Sequence, residues 1–417
     1  MAVVFAMGCS DPEGVDGGPF MSRSLVEPEG ENCPKGGTLL LSGYDTNGNG
    51  ILDDNEVTVR SYDCVPDSSG DPYLVQIEAG LAFNCALVSD GRVLCWGDNQ
   101  SGQLGDTTRA ERKYPVEVVG LEDFEVAELA AGNAHVCALS TGGGVRCWGE
   151  TEDGQLGESW TEPQSAAVAV GYSDVVQLAA GGTHTCALFR DGTARCWGNN
   201  ESGQLGRVLG SAQVDGLNTI EQIVAGGHHS CARLRDKTVR CWGRNDTGQL
   251  GDESFDNRSV PVEVFELADV VQLTAGRSHT CALLSDKSAR CWGGNDLGRL
   301  GDGSSTNQFV PVAVVGLSGA AQLSGGTTHT CALLDDATVR CWGSNRSGQL
   351  GDGTNTHSFE PVIPVELSGV AWITSGDSHS CVVLKSGGGR CWGANIFGQL
   401  GNGSNNNRNG AVKVIGW

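Results

Sequence analysis

The chain has 417 residues, a formal net charge of −23, 63 glycines and 17 cysteines. Such an acidic chain repels phosphate backbones and anionic lipid headgroups, so nucleic acid is excluded as an expected partner. No run of about 18 apolar residues is available for a transmembrane helix, and the cysteine content points to an oxidising compartment rather than the cytosol.

Residues 1–21 read as a truncated signal or lipoprotein-like segment running into an acidic linker. Met1 to Met7 is apolar, and Ala6-Met7-Gly8-Cys9 resembles a bacterial lipoprotein box in which Cys9 would carry the lipid. Ala6 stands where Leu is usual and no basic residue precedes the run, so an ordinary exposed terminus with a spare cysteine is the alternative. Attachment to a membrane is expected only through this anchor. The acidic, Gly- and Pro-containing stretch 10–28 reads as a tether.

Residues 22–66 form a small Cys-flanked module. Asp45, Asn47, Asn49, Gly50, Ile51, Asp53 and Glu56 match positions 1, 3, 5, 6, 7, 9 and 12 of a calcium loop. The side chains of Asp45, Asn47, Asn49 and Asp53, the carbonyl of Ile51 and a bidentate Glu56 would hold a structural Ca²⁺ with millimolar-range affinity. Apolar, β-branched runs flank the loop, predicting strand–loop–strand rather than two helices. Cys33 and Cys64 bracket it and are expected to pair. A polar Asn-Gly turn without an ion is the alternative.

Residues 72–417 carry seven repeats. Cys-Trp-Gly recurs with its tryptophan at 96, 148, 197, 242, 292, 342 and 392, and a second cysteine stands ten residues before each of its cysteines. The expected bridges are Cys85–Cys95, Cys137–Cys147, Cys186–Cys196, Cys231–Cys241, Cys281–Cys291, Cys331–Cys341 and Cys381–Cys391. Equal pairing about the midpoint of Cys85 and Cys95 leaves the loop Ser89-Asp90-Gly91, in which Gly91 suits a left-handed residue. It also sets the two cysteines opposite each other at a non-hydrogen-bonded site, with Cα atoms about 4.5 Å apart. Repeats four to six carry Lys237, Lys287 and Ala337 at the glycine position, so different turns are expected there.

Four short strands per unit, separated by Gly, Asn and Asp, predict an all-β, seven-bladed propeller of four-stranded blades beside the small N-terminal β module. Repeat one begins at Tyr73 without a preceding Pro-Val strand, and the chain ends in the strand-like Ala411 to Trp417. The C-terminal strand is therefore expected to close the first blade and hide an open edge.

His-Thr-Cys-Ala-Leu, Trp-Gly-x-Asn-x-x-Gly-Gln-Leu-Gly and Pro-Val-x-Val together resemble the regulator of chromosome condensation repeat family, across about residues 72–417. The cysteine-containing version resembles a secreted or surface-attached bacterial branch. The resemblance implies a seven-bladed propeller but leaves function open, because relatives include a guanine-nucleotide exchange factor, a UV-B photoreceptor and a secreted β-lactamase inhibitor. Repeat lengths here leave no room for the exchange factor's wedge insertion. The photoreceptor's tryptophan position is filled by Leu81, Asn133, Gly182, Gly227, Arg277, Thr327 and Asp377.

No catalytic set stands out. His135, His184, His229, His279, His329 and His379 occupy one repeat position that holds Phe83 in repeat one, which favours a structural role over a metal ring. The expected function is a non-enzymatic binding scaffold, surface-tethered or secreted and therefore extracytoplasmic, monomeric, gripping a protein or glycan with loops of one face. Trp160, Phe255, Phe309, His357 and Phe359 in the inter-repeat loops are its candidate contacts. A secreted enzyme inhibitor or effector of the same fold is the alternative. A guanine-nucleotide exchange regulator is a third, disfavoured by the missing wedge and the acidic surface.

Overall fold

A computed structural model describes residues 71–417 except 158–159, 161 and 208–212, together with the backbone of three strands before residue 65. Those strands are β1 (Phe20–Glu27), β2 (Gly37–Tyr44) and β3 (Val57–Cys64), paired antiparallel in the order β1-β2-β3. The stretch 45–56 thus joins two paired strands. The calcium loop, Cys9, and the Cys33–Cys64 pairing lie outside the described residues.

The first propeller blade is β4 (Leu74–Ala79), β5 (Phe83–Val88), β6 (Val93–Gly97) and β7 (Arg112–Glu117), in that order from the axis outward. The same unit recurs at 126–169, 220–263, 270–313, 320–362 and 370–413. The unit at 175–198 has three strands among the described residues. Its chain leaves the third strand as in the other blades, with Val214 N donating to Ala194 O at 2.9 Å. Helix among the described residues is one turn, Asp296–Gly298.

Burial explains the strand chemistry. β5 and β6 are buried at every residue because each blade is sandwiched between two neighbours. The innermost strands alternate, and the outermost are mostly open. Prolines 115, 261, 311 and 361 all fall on outermost strands, where a missing N–H costs no ladder bond and blunts the free edge. The glycine of Cys-Trp-Gly has a structural cause as well. Gly97 has φ 110°, and a Cβ there would lie 2.6 Å from the backbone of Ala82 and Phe83. At this residue the outer strand's register shifts by a bulge.

Two expectations need correcting. The C-terminal strand, Arg408–Lys413, pairs with Gly389–Gly393 in the seventh blade and does not complete the first. The Pro-Val strand is the last strand of its own repeat, not the first of the next, so β7 already supplies the strand that repeat one was thought to lack. The ring closes instead through bonds between blades seven and one, from backbone (Leu74 N to Gly387 O at 2.9 Å) and from side chains: Trp96 Nε1 and Asn84 Nδ2 donate to Gln399 O at 2.9 and 2.7 Å, and Trp372 Nε1 donates to Ile77 O at 3.1 Å.

The hairpin turns do not differ between repeats. Cys85 faces Cys95 and Gly91 N donates to Val88 O at 2.9 Å; Lys237, Lys287 and Ala337 make the same bond with φ of 65, 67 and 64°. An L residue pays for that conformation with about 1 kcal/mol relative to glycine. Ala337→Gly is therefore expected to raise stability by about 0.5–1 kcal/mol, read as a higher urea midpoint at unchanged slope. An unchanged or lower midpoint counts against this account of the turn.

Candidate binding face

All seven expected blade bridges are formed, with Cα–Cα distances of 4.0–4.1 Å. They join the two middle strands of each blade, and every one of these cysteines is buried.

Closer to the axis runs a second set of repeated contacts. The six histidines are fully buried. Each Nε2 reaches the next blade: His135 to Thr185 Oγ1 at 2.9 Å, His184 to Ser230 Oγ at 2.8 Å, His229 to Thr280 Oγ1 at 2.9 Å, and so on to His379 and Asn84 Oδ1 at 3.1 Å. Those hydroxyls donate their single proton onward to a backbone carbonyl, as Thr280 Oγ1 does to Gln249 O. The ring nitrogen must therefore be the donor, which fixes a neutral Nε2–H tautomer. Burial holds His184, His229 and His329 at a pKa of about 3 and His135 and His379 at about 4, against an ordinary 6.5, and pushes His279 well below it.

The seam between blades one and two tests this reading internally. Phe83 replaces the histidine, and the facing position on blade two is Val136 rather than a hydroxyl; both are fully buried in one cluster. The polar pair has been exchanged for an apolar pair, which identifies these histidines as contacts of the blade seam. Among the described residues no group of three or more metal-ligating side chains occurs. Thr330→Val alone leaves His279 Nε2–H buried without an acceptor and is expected to cost about 1–3 kcal/mol. Adding His279→Phe should recover most of that loss. A double-mutant cycle in urea with no coupling would contradict the pairing.

Around the axis a ring of glycines closes the channel. A Cβ on Gly276 would lie 2.3 Å from Gly326 O and 2.2 Å from His279 Cε1, and Gly132, Gly181, Gly226, Gly326 and Gly376 are equally hemmed in by the next blade's carbonyl. Beneath them, Gln76, Gln222, Gln272 and Gln322 each make paired bonds to the next blade's backbone, as Gln272 does to Leu323 N and O. Glu128 takes this position in blade two, and burial raises its pKa to about 7. Its neighbour Glu78 is raised to about 8, by burial first and by the Glu128 charge in addition.

Directly outside the glycine ring lies the channel mouth, a shallow cavity of about 80 Å³ whose rim is Leu81, Asn133, Gly182, Gly227, Arg277, Thr327 and Asp377. These are equivalent positions on seven blades, yet five of them carry five different side chains and two are glycine. The loops after Cys-Trp-Gly flank them on the same face, each tied down by a bond such as Arg244 N to His228 O at 2.9 Å or Glu150 N to Ala134 O at 2.8 Å. Their chemistry also changes around the circle. Blades one to three present Asp98, Glu150, Glu152, Asp153 and Glu201; blades four to six present Arg244, Arg277 and Arg346 together with Asp246 and Asp296; blade seven presents Ile396, 61 % exposed.

The five residues singled out from sequence lie elsewhere. Phe255 and Phe309 meet edge to face, 5.4 Å apart, at the outer rim, where a loop of blade four meets the outermost strand of blade five. Phe309 and Phe359 lie on outermost strands rather than in loops, and Phe359 occupies on blade six the place of Phe309 on blade five. All three are 40–50 % exposed. His357 is half-buried and its Nδ1 accepts from Asn345 N at 2.8 Å, a loop brace. Trp160 is half-buried and packs against the apolar cluster between blades two and three. The rim of the channel mouth was not chosen from sequence, although its signal was present: one repeat position whose residue changes from blade to blade while its neighbours stay fixed.

Comparison with known proteins agrees with this architecture. A family model described as an RCC1-like domain matches residues 38–366. The mitochondrial RCC1 domain-containing protein RUG3 of Arabidopsis thaliana is 36 % identical over 84 residues, 20 % of this chain and 19 % of that protein. Human E3 ubiquitin-protein ligase HERC2 is 33 % identical over 97 residues, 23 % of this chain and 2 % of that protein. The chain thus spans only a small part of the length of these curated relatives. Among solved structures, Prp20p of Saccharomyces cerevisiae superposes with a TM-score of 0.66 at 24 % identity, over 73 % of this chain and 80 % of that one.

Proposed function

The chain belongs to the RCC1-like family, and from that premise we propose that it is a non-enzymatic scaffold, tethered to a cell surface or secreted, that binds a protein or glycan with its channel-mouth face. The observation that carries this reading is the contrast on that face. The Gly-His-hydroxyl seam beneath is nearly uniform from blade to blade, whereas the rim at 81, 133, 182, 227, 277, 327 and 377 presents five kinds of side chain and two glycines. Gly182 and Gly227 are held to glycine by the next blade's carbonyl, 2.5 Å from where a Cβ would stand, but the five varied side chains are available for recognition. The structure of Prp20p is described together with its binding to Gsp1p and histones, and protein binding is the property carried over. The seven buried bridges support an oxidising, extracytoplasmic site of action.

Two parts of the proposal concern residues ahead of the propeller. Asp45, Asn47, Asn49, Ile51, Asp53 and Glu56 hold a structural Ca²⁺, and Cys9 carries a lipid anchor. Millimolar Ca²⁺ should raise the melting temperature of the N-terminal module and Glu56→Gln should abolish that rise; no rise in the parent chain would count against the site. The face itself is tested by exchanging exposed charges on it, Glu152→Lys with Arg346→Glu, and on the opposite face, Arg235→Glu with Lys385→Glu. Binding should be lost in the first variant and kept in the second.

A further inference from the structure

Neighbouring blades are linked around the channel mouth by backbone hydrogen bonds. Leu81 N donates to Asn133 O, Asn133 N to Gly182 O, Gly182 N to Gly226 O, Gly227 N to Arg277 O, Thr327 N to Gly376 O and Asp377 N to Leu81 O, at 3.0–3.4 Å. Six seams are closed this way. The seventh, between blades five and six, has no such bond, and Arg277 N is the donor left over. The cause is local. Arg299, standing where most repeats carry Gln, is nine-tenths buried and sends Nη1 to Thr327 O at 3.2 Å and to Ser278 Oγ at 2.9 Å.

Arg277 is exposed, and its guanidinium has no hydrogen-bond or ion-pair partner among the described residues. Its stem lies across Gly227, where a Cβ would meet Arg277 Cγ at 2.9 Å, so the side chain leans over blade four. There it joins Arg244 and the half-buried His228, whose proton affinity is lowered by burial and then by the charges of Arg244 and Arg277. Arg244 is paired with Asp246, and Arg299 sits within 3.5 Å of Asp296. Of the three arginines Arg244, Arg277 and Arg299, Arg277 is the one without an ion-pair partner among the described residues; Asp153 and Glu201 also act on His228.

We infer that Arg277 is an anion-recognition point on the channel-mouth face, taking a carboxylate from an acidic segment of a protein partner on its guanidinium. This rests on the reading of that face as the binding surface. A carboxylate fits this donor, since it accepts the planar guanidinium fork bidentately. Asp377 on the same rim opposes the ligand's charge, which supplies a second handle for the test.

The test uses the full chain, isotope-labelled at arginine, titrated with N-acetylated, C-amidated tetraglutamate at low salt and followed by NMR. The Arg277 amide and side-chain signals should shift saturably. Arg277→Gln should weaken binding about tenfold or more, and Asp377→Asn should strengthen it several-fold. Absence of a saturable shift, an unchanged affinity in Arg277→Gln, or equal binding of tetralysine would overturn the inference. Sedimentation showing a peptide-free dimer that Arg277→Gln dissociates would also overturn it, by making the occupant a second copy. Should the face-exchange variants behave as proposed while Arg277 stays silent, the inference fails and the wider reading stands. The converse result separates the two in the other direction.

Discussion

Acidification from about pH 6.5 to about pH 4.5 is expected to unfold the propeller, at a pH higher than loss of ordinary carboxylate pairing would require. The six seam histidines are held neutral by burial, five of them at a pKa of about 3 to 4. Below 6.5 the unfolded chain protonates these groups and the folded chain does not, so the unfolded state binds more protons. Stability then rises with pH across the window between the folded and unfolded values, is complete above 6.5, and is lost as pH falls through the window. Each group contributes about 1.4 kcal/mol per pH unit. Glu78 and Glu128 act in the opposite sense, because their folded values of about 8 and about 7 make the folded chain the better proton binder above 4.5. The balance is four groups, about 5 kcal/mol per pH unit, against a net stability of about 5–15 kcal/mol for a typical domain. Urea midpoints followed by circular dichroism should fall steeply below pH 6.5. The His279→Phe, Thr330→Val variant, which copies the apolar seam of blades one and two, should fall less steeply. A midpoint constant from pH 7 to pH 4.5 would contradict the buried neutral seam.

Reduction should be harmless to the folded ring and decisive for the unfolded chain. Each bridge closes a short loop, with its cysteines ten residues apart, and in the chain-entropy model contributes about 3 kcal/mol. Seven such bridges together contribute about 20 kcal/mol, more than the expected net stability. Their sulfurs are buried, so a reductant reaches them only when a blade opens. In native buffer the chain should keep its β spectrum and yield no alkylated thiol from the blades. After unfolding and reduction in denaturant it should fail to refold on dilution into reductant, and should refold once reoxidised. Refolding of the reduced chain to full stability would show that the bridges are dispensable.

The ten-residue cysteine spacing made the inner architecture legible, because a ladder with period two and a three-residue turn allows one register, and Cys85 does face Cys95. The phase of the repeat was not legible. Only a short link separates Glu263 from Val270, whereas a long loop separates Gly243 from Arg258, so the Pro-Val strand looked like a partner of the next strand in the chain. In a propeller the short link is the crossing from the outermost strand of one blade to the innermost of the next, and the long loop stays within a blade. Phe255, Phe309 and Phe359 stand out in the sequence as aromatic residues between repeats; they are 40–50 % exposed, but that position does not say which part of the surface they occupy. The gap at Arg277 depends on where Arg299 places its guanidinium, on Thr327 O 28 positions away, a contact that no repeat pattern encodes.

The most direct measurement compares three baits against the surface-protein extract of the cells that make this chain: the parent, Glu152→Lys with Arg346→Glu on the channel-mouth face, and Arg235→Glu with Lys385→Glu on the opposite face. With captured proteins quantified by mass spectrometry, the account predicts one species held by the parent and the opposite-face variant and lost from the channel-mouth variant. Capture that survives the channel-mouth exchange and disappears with the opposite-face exchange would contradict it.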